Sequence, residues 1–260
     1  MSTEVLERHF AAIGARVKLN HGARVDAVQI DVGSDRRGEF FELRLARRDE
    51  VSLVVVDADR DDRTLLLLVR DGAEKSRFLC GFDERHWFVA AIPESARGVT
   101  GVEAAKDALQ PEEVRQAVAK ARPRDRFRRR NAAYVRQGEW FFLPLWNLVV
   151  EENDVLHNEP LSRGPGSKDH ILERAFRRGG ETVFVNRDHP SGLSRTEFEA
   201  LPLDRQRRGN WREMVRDPEL YATGAVRHTD HNTIVLHGWH RVLMNTERQA
   251  RAMRHVAFLD

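Results

Sequence analysis

The sequence predicts an α+β protein, with an antiparallel β meander and flanking helices in its first half and a mixed α+β second half. Three observations carry that expectation. Short apolar runs alternate with turn signals between Arg24 and Ile92, and apolar residues recur at helical spacing on either side of them. Beyond Glu139 the spacing switches between strand and helix periods within a few residues.

The first element is a helix over residues 3–17, because Val5, Leu6, His9, Phe10 and Ile13 fall on one face. Strands follow at Arg24–Val32, Glu39–Leu45, Val51–Asp57, Thr64–Arg70, Ser76–Cys80 and His86–Ile92. They are punctuated by Gly33-Ser34, Asp49-Glu50, Asp59–Asp62 and Asp71-Gly72. Connections this short join antiparallel neighbours, since a parallel crossover needs a dozen or more residues. After Pro93, the spacing of Val99, Val102, Ala105 and Leu109, then the helix start Pro111-Glu112-Glu113, predicts two helices to about Ala121.

A polar stretch from Ala121 to Asn131, broken by Pro123, reads as a linker. Then come a buried strand at Glu139–Leu145 and a long loop over Glu151–Asp169, rich in Asn, Pro and Gly. A short helix at His170–Arg178 is expected to end at Gly179-Gly180, before a strand at Thr182–Asn186 and a helix at Arg195–Leu201. Three short strands, Gly224–His228, Asn232–Leu236 and Arg241–Met244, precede a final helix at Thr246–His255. Two domains are expected, a β-rich one over 1–121 and a basic, histidine-rich one over 122–260, which could share one core.

Charge divides along the same line. Up to Ala121 the chain carries 19 basic and 22 acidic residues, and beyond it 24 and 19, although the net charge is only +2. A basic second half fits a polyanionic partner. The single cysteine excludes an internal disulfide, and the amino terminus lacks a signal-peptide pattern, so a cytoplasmic setting is expected. No apolar run approaches the roughly 20 residues of a membrane span, and no membrane partner is expected. The glycines of Ser162–His170 lack phosphate-loop spacing, so no nucleotide cofactor is expected.

The chemistry concentrates between Arg227 and Glu247, where His228-x2-His231 and His237-x2-His240 flank an apolar run. Imidazole and carboxylate suit zinc or manganese, and His228, Asp230 and His231 are the candidate metal ligands, with a further ligand from His157 or His170. One ion cannot collect all four histidines of the segment. A five-residue strand between the pairs spans about 17 Å, whereas ligands lie about 2 Å from their ion.

Two further groups belong to the expected site. Cys80, Glu84 and His86 gather in one turn, where a thiol beside an imidazole is a candidate nucleophile and His231 and His240 are candidate water activators. Arg124, Arg126, Arg128, Arg129 and Arg130 surround Phe127, a combination that neutralises phosphates and stacks on bases. The sequence-based expectation is a metal-assisted hydrolase acting on an anionic substrate such as nucleic acid. The alternative is a non-catalytic nucleic-acid- or protein-binding module of a larger assembly.

Overall fold

Leu6, Phe10 and Ile13 form a stripe that the chain buries at once, in α1 (Thr3–Ala12), on the edge of a β-rich core. The helix closes earlier than its apolar spacing predicts, because the Ala15 N–H returns to the Phe10 carbonyl at 2.9 Å. The computed structural model describes residues 3–25, 27–46, 51–119, 121–122, 125–163 and 167–249.

The first half holds two sheets. In one, β1 (Val17–Ala23) runs parallel to β3 (Gly38–Ala46), which forms a hairpin with β2 (Val28–Asp35). The other is an antiparallel ladder of β4 (Val51–Asp59), β5 (Thr64–Asp71), β6 (Glu74–Asp83) and β7 (His86–Ile92). Strand β5 is covered on both faces, which explains its unbroken apolar run. Leu65, Leu67 and Val69 pack with α1, Phe41, Phe78 and Trp87, whereas Leu66 joins Leu79, Ala90 and Ile92 beneath α2 (Val102–Leu109). Each such leucine contributes about 1.5–3 kcal/mol on burial. Asp57 of β4 accepts the Val102 N–H at 2.8 Å, serving as the cap that Gly101 cannot provide. Helix α3 (Glu112–Val118) then carries Val114 and Val118 onto Tyr134 and Phe141.

The second half is built on one antiparallel six-stranded sheet. Its strands are β8 (Val135–Gln137), β9 (Trp140–Pro144), β10 (Leu156–Leu161), β11 (His170–Arg178), β15 (Glu219–Arg227) and β16 (Ile234–Met244), in the spatial order β10-β11-β15-β16-β9-β8. Between β11 and β15 the chain leaves to form a small sheet of β12 (Glu181–Val185), β13 (Leu193–Ser194) and β14 (Arg212–Arg216), with α4 (Arg195–Glu199) and α5 (Leu203–Arg208). It re-enters beside its point of departure, since Arg178 pairs with Glu219.

The expected α+β class is corrected by this architecture. Among the described residues the protein is mostly sheet, 49% strand against 18% helix, and its first-half strands form two sheets rather than one meander flanked by helices. The segment His170–Arg178, expected as a helix, is a strand. Its burial changes phase opposite a bulge at Gly224-Ala225, so Leu172 and Ala175 face the core three residues apart, a spacing that imitates a helix. Part of the expected loop, 156–161, is β10. The segments Asn232–Leu236 and Arg241–Met244 belong to one strand, β16, whose register slips between Leu236 and His240. Of the final helix, only a 3-10 turn at Glu247–Gln249 falls among the described residues, and His255 lies outside them. No helix among the described residues is long and apolar enough to cross a membrane.

Candidate metal centre

Three histidines meet where β11 begins and β15 gives way to β16. His170 is the first residue of β11 and its ring points into the sheet's buried side, while His228 and His231 sit on the connection 228–233. One nitrogen from each ring can be chosen so that all three lie within 4.8 Å of one another. The His170 ring stacks on His228 at 4.2 Å between centroids and lies 5.6 Å from His231, with Trp140 edge-on at 6.5 Å.

His170 is buried, and neither of its ring nitrogens has a hydrogen-bond partner. Buried polar atoms without partners are rare and each needs an explanation. Burial first, then the neighbouring His228 and His231, push the pKa of His170 down to about 3. Burial and His228 also lower that of His231, against the pull of Glu84, Asp83 and Glu139. These imidazoles are therefore held neutral, the form that binds metals. The Asp230 backbone N–H donates to His228 Nδ1 at 3.1 Å.

Room for the rings comes from Gly138 in the β8–β9 turn. Its φ is +55°, and a Cβ there would stand 3.1 Å from His231 Nε2 and 3.5 Å from His170 Nε2. A side chain at this position would occupy the space toward which both nitrogens point.

The first half reaches the site through the β6–β7 turn. Glu84, at φ +53°, puts Oε2 3.6 Å from His231 Nδ1 and accepts the Asn232 N–H at 2.8 Å. Arg85 Nη2 donates to Asn232 Oδ1 at 2.6 Å. Arg129 bridges the turn, 2.6 Å from Asp83 and 2.8 Å from Glu84. His231 Nδ1 itself has no hydrogen-bond partner, so Glu84 acts on the ring through its charge.

The histidines line a cavity of about 510 Å³ whose walls come from both halves, including Trp87 and Phe88 of β7 and Arg136, Glu139 and Phe141 from the other half. Six carboxylates and six Lys or Arg cations border it. Among them, Arg163 Nη1 donates to Glu247 Oε1 at 3.2 Å, and its Nε lies 3.9 Å from Glu139 Oε1. Burial, opposed by Arg163 and reinforced by Glu139, pushes the carboxyl of Glu247 up to about 7.

The expected site residues fare differently. His228 and His231 converge with His170, whereas the other proposed ligand, His157, is exposed on β10 beside Glu152 at 3.8 Å. Asp230 borders the cavity but pairs with Lys168 at 3.1 Å and stands outside the ligand group. Glu84 joins the site. His86 lines the cavity, but its Nδ1 is bound to Glu39 at 2.6 Å.

Cys80 is corrected as a nucleophile. It lies wholly inside the first-half core, opposite Leu65 and Val89, and burial raises its thiol pKa, which disfavours thiolate. His240 is corrected as a water activator of this site. It pairs with Pro144 and Ala222 across the sheet, with Nδ1 on the Gly238 carbonyl at 2.9 Å.

The arginine run is largely bound within the fold. Arg126 pairs with Asp107, Arg128 with Asp125 and Arg129 with Asp83 and Glu84, while Arg130 donates to the Val235 carbonyl at 3.4 Å. Arg124 lies outside the described residues. Sequence reasoning gave Gly138, Glu139 and Arg163 no part in the histidine site, and noted Glu247 only as a neighbour of the histidines. The first three have no spacing signal to any histidine and border the cavity only through the tertiary fold.

Fold and site together describe a β-rich protein with a histidine-lined cavity between two sheet systems. No family profile, curated protein or solved structure matches this chain.

Proposed function

We propose that the protein is a metal-assisted hydrolase of an anionic substrate, with His170, His228 and His231 as the ligands of a divalent ion, zinc being the best fit to three imidazoles. The observation that carries this reading is the pair of unpartnered nitrogens on buried His170, within reach of two further imidazoles. Three protein ligands leave a position open, as in hydrolytic rather than structural zinc sites. When bound, such an ion supplies Lewis acidity and water acidified to a pKa of about 7. The chain's own residues do the rest. Glu84 sets a negative charge beside His231, Gly138 leaves the rings their space, and Trp87 and Phe88 give the cavity an apolar wall.

The substrate's charge follows from the balance of the lining. Equal numbers of carboxylates and cations become cation-rich once a divalent ion is added, which favours an anion. Because Arg126, Arg128, Arg129 and Arg130 have partners inside the fold, nucleic acid enters this reading as a source of a phosphate group that reaches the cavity. A lone buried thiol suits a cytoplasmic setting.

Elemental analysis of purified protein, with zinc titration calorimetry on wild type and His170→Ala, tests the reading. One equivalent of zinc bound by wild type and lost in the variant supports it. Wild type that takes up no divalent metal overturns it.

A further inference from the structure

A second ionisable group borders the same cavity. Glu247 is only 2% exposed, and its turn is pinned on two sides. The Thr246 N–H donates to the Leu109 carbonyl at 3.1 Å, its hydroxyl to the Ala108 carbonyl at 2.7 Å, and the Asn245 N–H to the Glu139 carbonyl at 2.8 Å. The carboxyl is thus fixed in place, facing Arg163. Glu139, which Arg163 also faces, directly follows Gly138, against which His170 and His231 lie. One guanidinium between two secluded carboxylates compensates one negative charge, and the second is stored most cheaply as a neutral acid.

We propose that Glu247 is the proton donor of this site, delivering its proton to the leaving group of the substrate, with Glu139 as the positioning residue that keeps Glu247 protonated. The inference rests on the metal-hydrolase reading. Water oxygen forms the new bond to the electrophilic atom, and the leaving group departs with its bonding electrons and takes the Glu247 proton. A proton released by the water restores Glu247, so one water is consumed and the protein is unchanged. The charged groups acting on Glu247 are Arg163, which favours its ionised form, and Glu139, which opposes it; burial adds to the opposition. From β7 and α2 the cavity wall presents Ala90 and Leu109, which do not titrate, and also His86, bound to Glu39, and Lys106, paired with Asp62.

The experiment uses the full zinc-loaded chain and two phosphate monoesters, 4-nitrophenyl phosphate, whose leaving group needs no proton, and phenyl phosphate, whose leaving group does. Glu247→Gln, which has the shape of the protonated acid, is expected to keep zinc affinity. It should lower kcat/KM on phenyl phosphate by roughly 100-fold or more, and far less on 4-nitrophenyl phosphate. Glu139→Gln removes a like charge and favours ionised Glu247, so the alkaline limb of the phenyl phosphate profile should move to lower pH.

Equal losses on both esters, or an unmoved limb in Glu139→Gln, overturn the role of Glu247 and leave the hydrolase standing. If Glu247→Gln does not fold, the Glu139→Gln profile decides alone. Absence of zinc binding, or zinc bound without turnover of either ester, overturns the hydrolase reading and this inference with it.

Discussion

Two histidine pairs with the same spacing lie one before β16 and one within it, and only the first meets a third imidazole. His228 and His231 leave β15 on a connection that passes over the start of β11, where His170 presents a third imidazole. His237 and His240 occupy a slip in β16, where Gly238 takes φ +80° and its carbonyl meets His240 Nδ1. His240 faces Pro144 and Ala222, residues with no ligand to offer, and His237 is exposed. What separates the pairs is the neighbouring strand, so ligand spacing along the chain matters less here than what sheet pairing brings across.

The sharpest way to break this contrast is His170→Ala. Loss of the shared ligand should weaken zinc binding by well over the roughly 100-fold of an outer-shell change, while His240→Ala leaves it unaltered; calorimetry on both compares the pairs directly. A variant His170→Ala that binds zinc as wild type does would make the pairs equivalent.

The next effect in size is on acid stability. In metal-free protein the unfolded chain protonates His170 near 6.5, whereas the folded protein resists until about 3. Between those values the unfolded state binds more protons, so stability falls as pH falls, at up to about 1.4 kcal/mol per unit. Urea unfolding of wild type and His170→Leu between pH 4 and 7 isolates this component, and parallel curves would contradict it.

Smaller again is the part played by the β6–β7 turn. Glu84→Gln should reduce zinc affinity by about 10–100-fold without removing the ion, measured by competition with a chromogenic chelator. An affinity equal to wild type would place Glu84 outside the site. Smallest in stability is Gly138→Ala, which puts a Cβ into a left-handed turn at a cost on the order of 1 kcal/mol. That loss should accompany weakened zinc binding, because the new methyl meets His231 first; thermal unfolding with and without zinc measures both.

The sequence reveals these features unevenly, for physical reasons. The buried runs of β5 and β7 are legible because they carry their own period and sharp turns, and the helical stripe of α1 is legible for the same reason. The division into separate sheets is not, since the parallel pairing of β1 with β3 leaves no local trace. Strand β11 imitates a helix because a bulge on its partner changes its burial phase, something its own residues do not encode. In the site, His228 and His231 stand out by spacing, and His170 was one of two candidates for a further ligand. Arg163, Glu139 and Gly138 could be found only by knowing which strands lie together. The arginine run drew attention by composition, yet much of it meets carboxylates supplied by distant elements.

The reach of the β6–β7 turn has a consequence for how the protein matures. Asn232 meets Glu84 and Arg85 across separations of 148 and 147 residues. The three imidazoles and Glu84 are assembled only once β11, the 228–233 connection and the β6–β7 turn have come together. An ion that bound the finished fold alone would act as a latch, raising its stability by an amount set by free metal in the cell.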